Sequence, residues 1–325
     1  MRALYMESDA TGLRVACESR LPTSHYERSR IDMTDVRKDL PKKLDDVPGW
    51  LSYGDQLVFQ WLLEWQSRTQ EPSDLVEVGV YKGKSAIHLG RFLRDGERLT
   101  VCDLFDVAGS EETIRDDVRR AYASLSQDEF ESNYLAFHDE LPEIIRGLSS
   151  LITDHVSAGS CRLVHIDASH MYEHVRGDTF AAKEMLRQDG IVVFDDYRTE
   201  HTVGTAAAVW EAIANDGLNP IACTAMKLYA TWGDPVPAQN EIRAQVSQRT
   251  DYKLDPVFVQ RDLPVLRVVP AKKPRPAAAP ASENSGELRK IAEEALAKAT
   301  EALAKTSGGG RIERLARKVR ARIKK

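Results

Sequence analysis

Two stretches of the 325-residue chain carry residue types that do chemistry. The first is Glu77-Val78-Gly79-Val80-Tyr81-Lys82-Gly83-Lys84-Ser85, an E-x-G-x-x-x-G-x-S pattern between an apolar run and a helical run. Gly79 and Gly83 let the backbone turn sharply and approach a ligand closely. The acid Glu77 suits a cationic or hydrogen-bond-donating ligand. That separates the loop from the G-x-G-x-x-G fingerprint, whose helix N-terminus holds pyrophosphate. Gly83-Lys84-Ser85 imitates the end of a Walker loop, but three residues separate the glycines where that loop has four, so nucleotide phosphate is the lesser reading. Asp103 closes a second apolar run, where an acid can accept both ribose hydroxyls. The competing reading makes the glycines turn residues only and Asp103 a surface acid.

The second stretch is His165-Ile166-Asp167-Ala168-Ser169-His170-Met171-Tyr172-Glu173, followed past one helical run by Ile191-Val192-Val193-Phe194-Asp195-Asp196-Tyr197. If the two apolar runs are neighbouring parallel strands, Asp167, Asp195 and Asp196 converge at one rim. Three like charges together are costly unless a cation compensates them. Carboxylate oxygens favour Mg²⁺, Mn²⁺ or Ca²⁺, and such an ion polarises a substrate oxygen. His170, three residues after Asp167, has the type of side chain that takes a proton near neutral pH. It could instead hold substrate or a carboxylate. The Asp195-Asp196 pair could also serve only to cap a turn. His165 in mid-strand reads as a buried structural histidine, Tyr172 as a packing residue at a helix start, and Tyr197 and His201 as secondary candidates for an acceptor pocket. Residues 50–53 are placed to fold over a cofactor or simply to pack.

The first loop and Asp103 resemble those of the class I S-adenosylmethionine-dependent methyltransferases. The resemblance implies that Gly79, Gly83 and Ser85 line the methionine and ribose part of S-adenosylmethionine, that Asp103 binds the ribose, and that Glu77 places the cofactor's amino group or the loop. For adenine, after the third strand, it points to His138 and Asp139. The second stretch resembles the metal-dependent sugar O-methyltransferases of the macrocin and mycinamicin type and the cephalosporin-hydroxylase-like group, over roughly residues 48–232. This implies Asp167, Asp195 and Asp196 as ligands of Mg²⁺ (or Mn²⁺), His170 as general base beside Asp167, and a sugar, glycan or other hydroxyl-bearing acceptor. Ser169 stands where many relatives carry an acid. Catechol-type enzymes usually have Asp-Asn where this chain has Asp195-Asp196, so a phenol or catechol acceptor is the alternative. A non-catalytic cofactor-binding module is the third reading.

These residues need strands to carry them. Apolar runs at 75–80, 99–104, 134–137, 162–167 and 191–195 read as strands, and 85–93, 111–125, 141–151, 172–187 and 203–215 as helices. A helix at 53–68 precedes them. Strands at 227–232 and 256–269 follow, with a helix at 239–248 between. Alternation of this kind predicts an α/β, Rossmann-like, doubly wound and mostly parallel sheet with helices on both faces. The expected layout is an N-terminal arm (1–47), the methyltransferase domain (48–235), a core extension (236–269), a Pro/Ala-rich linker (270–286) and a helical basic tail (287–325).

Charge divides along the same line. The chain has 45 Lys and Arg against 50 Asp and Glu, a net −5, but residues 270–325 hold 15 basic and 6 acidic residues. An acidic body of −14 thus carries a tail of +9, and the body offers no phosphate-binding face, which argues against nucleic acid. Residues 311–325 form a basic amphipathic pattern suited to a membrane surface or an acidic partner, with a plain solvated tail the alternative. The N-terminus has no apolar core of a secretory signal. Cys17, Cys102, Cys161 and Cys223 form no C-x-x-C pair, so a cytoplasmic, reducing location is expected, with the inner membrane surface as a peripheral alternative. Oligomeric state is left open.

Overall fold

The computed structural model describes residues 40–105, 125–260 and 263–271. The expected helix at 111–125 up to residue 124, most of the N-terminal arm, the linker from 272 and the basic tail lie outside the described residues.

Helix α1 (Tyr53–Thr69) opens the fold, with the Ser52 hydroxyl accepting the Asp55 amide hydrogen bond as N-cap. Strand β1 (Asp74–Val78) leads through the glycine loop into the short helix α2 (Lys84–Gly90). Next come β2 (Leu99–Asp103), α3 (Gln127–Leu135), β3 (Glu143–Arg146) and α4 (Ile152–His155). Then follow β4 (Cys161–Ile166), α5 (Tyr172–Met185), β5 (Leu186–Phe194) and α6 (Val203–Asn215). The chain continues as β6 (Asn219–Cys223), β7 (Leu228–Thr231), α7 (Val236–Ser247), β8 (Tyr252–Leu254), β9 (Val257–Gln260) and β10 (Leu263–Pro270).

The strands form a ten-stranded sheet in the order β3-β2-β1-β4-β5-β7-β6-β10-β8, with β9 paired to β10. The run β3-β2-β1-β4-β5 is parallel throughout, and β7 joins β5 antiparallel. Alternate residues feed two cores. Leu75, Leu163 and Ile191 face one side with Phe59, Leu62 and Ile87, while Val76, Val164 and Val192 face the other with Val175, Ala182 and Val209. Both faces are covered, which is why the central strands read as unbroken apolar runs. Strand order reverses between β1 and β4, and the crevice at the carboxyl ends there is where such sheets bind ligands.

Three element expectations are corrected. Residues 134–137 are the end of α3 and the turn after it, not a strand: Phe130 and Tyr134, four apart, stack at 5.9 Å on one helix face. The third strand is instead Glu143–Arg146, inside the stretch read as a helix at 141–151. It is a sheet-edge strand of four residues with one of them buried, too short to show a period of two, and the next leucines, Leu148 and Leu151, cap and close the turn at Ser149–Leu151. The run at 256–269 divides into β9 and β10, and β6 and β8 escaped the reading altogether.

Candidate functional site

The glycine loop and the acidic loop meet at the switch point. Gly79 follows β1 with φ +82°, and a Cβ on it would lie 2.2 Å from the Asp167 carbonyl oxygen. The Asp167 amide donates to the Val78 carbonyl at 2.7 Å. Gly79 is therefore needed for the close approach of two loops of the chain. Gly83 caps α2 with φ +92° and packs against the Phe130 ring, and Ser85 is buried in the first turn of that helix.

The acids beside the loop differ from expectation. Asp103 turns inward: its Oδ2 accepts from the Val80 and Tyr81 amides at 2.7 and 3.0 Å, and its Oδ1 from the Phe105 amide at 3.2 Å. Burial pushes its carboxyl up, against the pull of those amides. Asp103 thus holds the loop in shape, and only a small part of its surface remains for a ribose. Glu77 is wholly buried, its Oε1 accepting from His165 Nδ1 at 2.7 Å on the neighbouring strand. Among the described residues its Oε2 has no hydrogen-bond partner. Lys84 donates to the Gly49 carbonyl, and Lys82 is paired with Glu129. Both loop lysines are thus engaged, which removes the phosphate reading of Gly83-Lys84-Ser85. Trp50, 76 % exposed, lies 5.5 Å from the Tyr81 ring at the loop's edge.

The adenine candidates are corrected. The His138 Nε2 donates to the Ile87 carbonyl at 2.9 Å and its ring stacks on Tyr134, so it closes the end of α2 rather than facing a ligand. Burial lowers its pKa. Asp139 is exposed beside it. Since the true third strand is β3, the position after it is Gly147-Leu148-Ser149, next to Asp103, whose carbonyl accepts from the Gly147 amide.

On the other side of the switch point, Asp167 ends β4 and Asp195 ends β5, as the spacing required. Between them lies a residue that sequence reading did not single out. Lys227, 1 % exposed, enters from the turn before β7. Its ammonium donates to Asp195 Oδ2 at 2.9 Å and to His165 Nε2 at 2.9 Å, and stands 3.8 Å from Asp167 Oδ2. Burial would lower the Lys227 pKa, but the Asp195 and Asp167 charges drive it up instead. Burial would raise the Asp195 carboxyl, yet Lys227 holds it down at about 2. Asp167 goes the other way, pushed up by burial and by the charge of Asp195. His165 is kept neutral, its pKa lowered by burial and by Lys227, in keeping with an Nδ1–H given to Glu77 and an Nε2 lone pair facing the lysine. The signal for Lys227 was a lone lysine opening an apolar strand, a residue type that is buried only when paired.

Asp196 adopts φ +51°, a left-handed conformation that Asp tolerates better than most residues. This turn sends its Oδ2 to 3.4 Å from His170 Nε2. His170 is exposed on the loop between β4 and α5, with the His201 ring edge-on at 6.3 Å. The Ser169 hydroxyl shapes that loop by accepting from the Met171 amide and meeting His174 Nδ1. Tyr197 is buried against Trp210 and packs the core, whereas Tyr172, read from the sequence as a packing residue, is exposed and donates to Glu211 across α5 and α6.

A divalent ion does not fit this set as it stands. Among the described residues Asp195 Oδ1 and Asp196 Oδ1 are buried without hydrogen-bond partners, but the ammonium already lies between Asp167 and Asp195. Among the described residues, no group of three His, Cys, Asp or Glu side chains has the geometry to hold a metal. The expected ligand set of Asp167, Asp195 and Asp196 is therefore not assembled.

Residues 76–197 match the family model described as a methyltransferase domain. No protein of curated function matches the chain. Similar solved structures include the O-methyltransferase NovP, at 20 % identity over 55 % of this chain and 81 % of that one, TM-score 0.44. Another is CalS11, described as a TDP-rhamnose 3'-O-methyltransferase, at 17 % identity over 64 % and 89 %, TM-score 0.40. A third is an O-methyltransferase from Bacillus cereus, at 14 % identity over 61 % and 87 %, TM-score 0.38. The glycine loop and the acidic loop at the switch point both lie within residues 76–197, the stretch that is similar to the methyltransferase-domain model.

Proposed function

We propose that the chain transfers a methyl group from S-adenosylmethionine to a hydroxyl oxygen of a sugar, glycan or glycosylated metabolite. The observation that carries this reading is the contact of the Gly79 turn with the Asp167 carbonyl. It places the cofactor-type loop against the loop bearing His170, at the crevice where the strand order reverses. The loop's surroundings suit a cationic ligand: Glu77 and Asp103 flank it, and Lys82 and Lys84 are already engaged. S-adenosylmethionine, when bound, supplies a methyl group on a sulfonium that leaves as a neutral thioether.

The chain's own residues must bind the acceptor and take its proton. His170 is exposed to an incoming hydroxyl. With its Nε2 turned to Asp196, Nδ1 carries the lone pair that receives the proton, and the Asp196 carboxylate steadies the imidazolium formed. The part-exposed carboxylates of Asp196 and Asp167 at the same rim accept further hydroxyl hydrogen bonds. A polyol offers several such donors and a simple phenol one, which favours a sugar. The test is transfer of labelled methyl to pools of sugar nucleotides, glycosides, phenols and catechols. Labelling of sugars is expected. Labelling of phenols alone would replace the acceptor class, and binding of S-adenosylhomocysteine without transfer to any pool would leave a non-catalytic module.

A further inference from the structure

The acidic rim carries its own cation, and the sheet fixes its place. His165 and Asp167 sit on either side of Ile166 at the end of β4, and Asp195 follows β5. The three groups around the Lys227 ammonium are thus set by the β4–β5 register, in which Ile166 pairs with Phe194. The far nitrogen of His165 is held by Glu77 on β1. The lysine is tied down as well. Its amide donates to Thr224 Oγ1, and that hydroxyl donates to Asp55 Oδ1, a buried carboxylate in the first turn of α1. Immobilising and desolvating a lysine is costly, and an exposed partner for the carboxylates would avoid that cost.

We propose that Lys227 is the built-in cation of this site: between Asp167 and Asp195 its ammonium takes the charge-compensating place that the sequence assigned to a divalent ion, and through Asp195 it holds the acidic rim in place without a metal. The lysine is a positioning residue, since it is too buried to touch the acceptor itself. A dication placed beside it would meet like-charge repulsion. The part-exposed carboxylates of Asp167 and Asp196 stay available to an acceptor. What this adds to the methyltransferase reading is the source of positive charge. The geometry stands without that reading, so the two fail separately.

The test uses the full-length chain, micromolar Mn²⁺ followed by the electron paramagnetic resonance of the free ion, thermal melts with and without Mn²⁺, and calorimetry with S-adenosylhomocysteine. Wild type is expected to leave Mn²⁺ free and its melting temperature unmoved. Lys227→Met is expected to gain stoichiometric Mn²⁺ uptake and to be raised in melting temperature by the ion. Both gains should vanish in the double variant with Asp195→Asn. Stoichiometric uptake by wild type that disappears in Asp195→Asn overturns the proposal, as does a folded Lys227→Met chain that takes up none. If Lys227→Met does not fold, wild type and Asp195→Asn decide alone: uptake lost in Asp195→Asn overturns the proposal, and absence of uptake supports it. Failure of wild type to bind S-adenosylhomocysteine would sink the methyltransferase reading and leave the Mn²⁺ result intact.

Discussion

His170 owes its position to its neighbours on the loop. Ser169 ties the backbone at Met171, and Gly204 at the start of α6 lets that helix approach, since a Cβ there would lie 2.4 Å from the His170 carbonyl oxygen. Removing the imidazole leaves this scaffold in place. His170→Ala is therefore expected to lower kcat by about 10²–10⁴-fold, the usual range for a general base, while calorimetry shows unchanged affinity for S-adenosylhomocysteine. Gly79 is the opposite kind of residue, necessary for its lack of atoms. Gly79→Ala combines a positive φ with a collision against the Asp167 backbone. It is expected to cost more than the ~1 kcal/mol of an ordinary glycine replacement and to abolish cofactor binding, read by urea unfolding and calorimetry.

At the scale of elements, the two ends of the strands do different work. The carboxyl ends of β1, β4 and β5 carry the residues of the proposed site. Near the opposite ends, Arg162 of β4 is fully buried and grips Glu97, which lies just before β2, with Nε and Nη2 at 2.9 and 2.8 Å. Arg94 donates to the same carboxylate through Nε, Nη2 and its backbone amide, and the Ser73 amide donates to it as well. Burial would raise the Glu97 carboxyl, but the hydrogen bonds from Arg162 and Arg94 bring it down to about 2. Glu97→Gln strands a guanidinium in the core and is expected to destabilise the chain by about 3–5 kcal/mol. A urea midpoint unchanged from wild type would refute this.

For the molecule as a whole, buried titratable groups shape its response to acid, His88 and Glu97 among them. His88 is buried in α2, its Nε2 donating to the Gln56 carbonyl, and burial lowers its pKa from 6.5 to about 4. The unfolded chain then binds the extra proton first. Stability linked to His88, about 3 kcal/mol, is complete above pH 6.5, declines as pH falls, and is gone below about 4. Glu97 adds a second window, from about 4.5 down to about 2. Urea unfolding at pH 7.5, 5.5 and 4.5 should show a steady loss, and His88→Gln should make it smaller. An equal loss in the variant would place the acid sensitivity elsewhere. Among the described residues no helix is long and apolar enough to cross a membrane.

The sequence by itself determined the alternation of strands and helices, the glycine loop, and the placement of Asp167 and Asp195 at strand ends. These are readable because strands buried on both faces show as unbroken apolar runs, and because a loop's glycines and acids are local. It also led to the His170–Asp196 neighbourhood, since both residues follow directly on strands that proved to be adjacent. The tertiary structure alone decided which way each acid points and what neutralises it. Asp103 bends back onto the loop amides, Glu77 is spent on His165, and His138 closes a helix, because each finds a nearer partner than a ligand. Lys227 reaches the acids from 32 residues after Asp195 and 60 after Asp167 in the chain. Only the antiparallel return of β7 onto β5 brings that ammonium to the rim, and no local pattern records a contact made across the sheet.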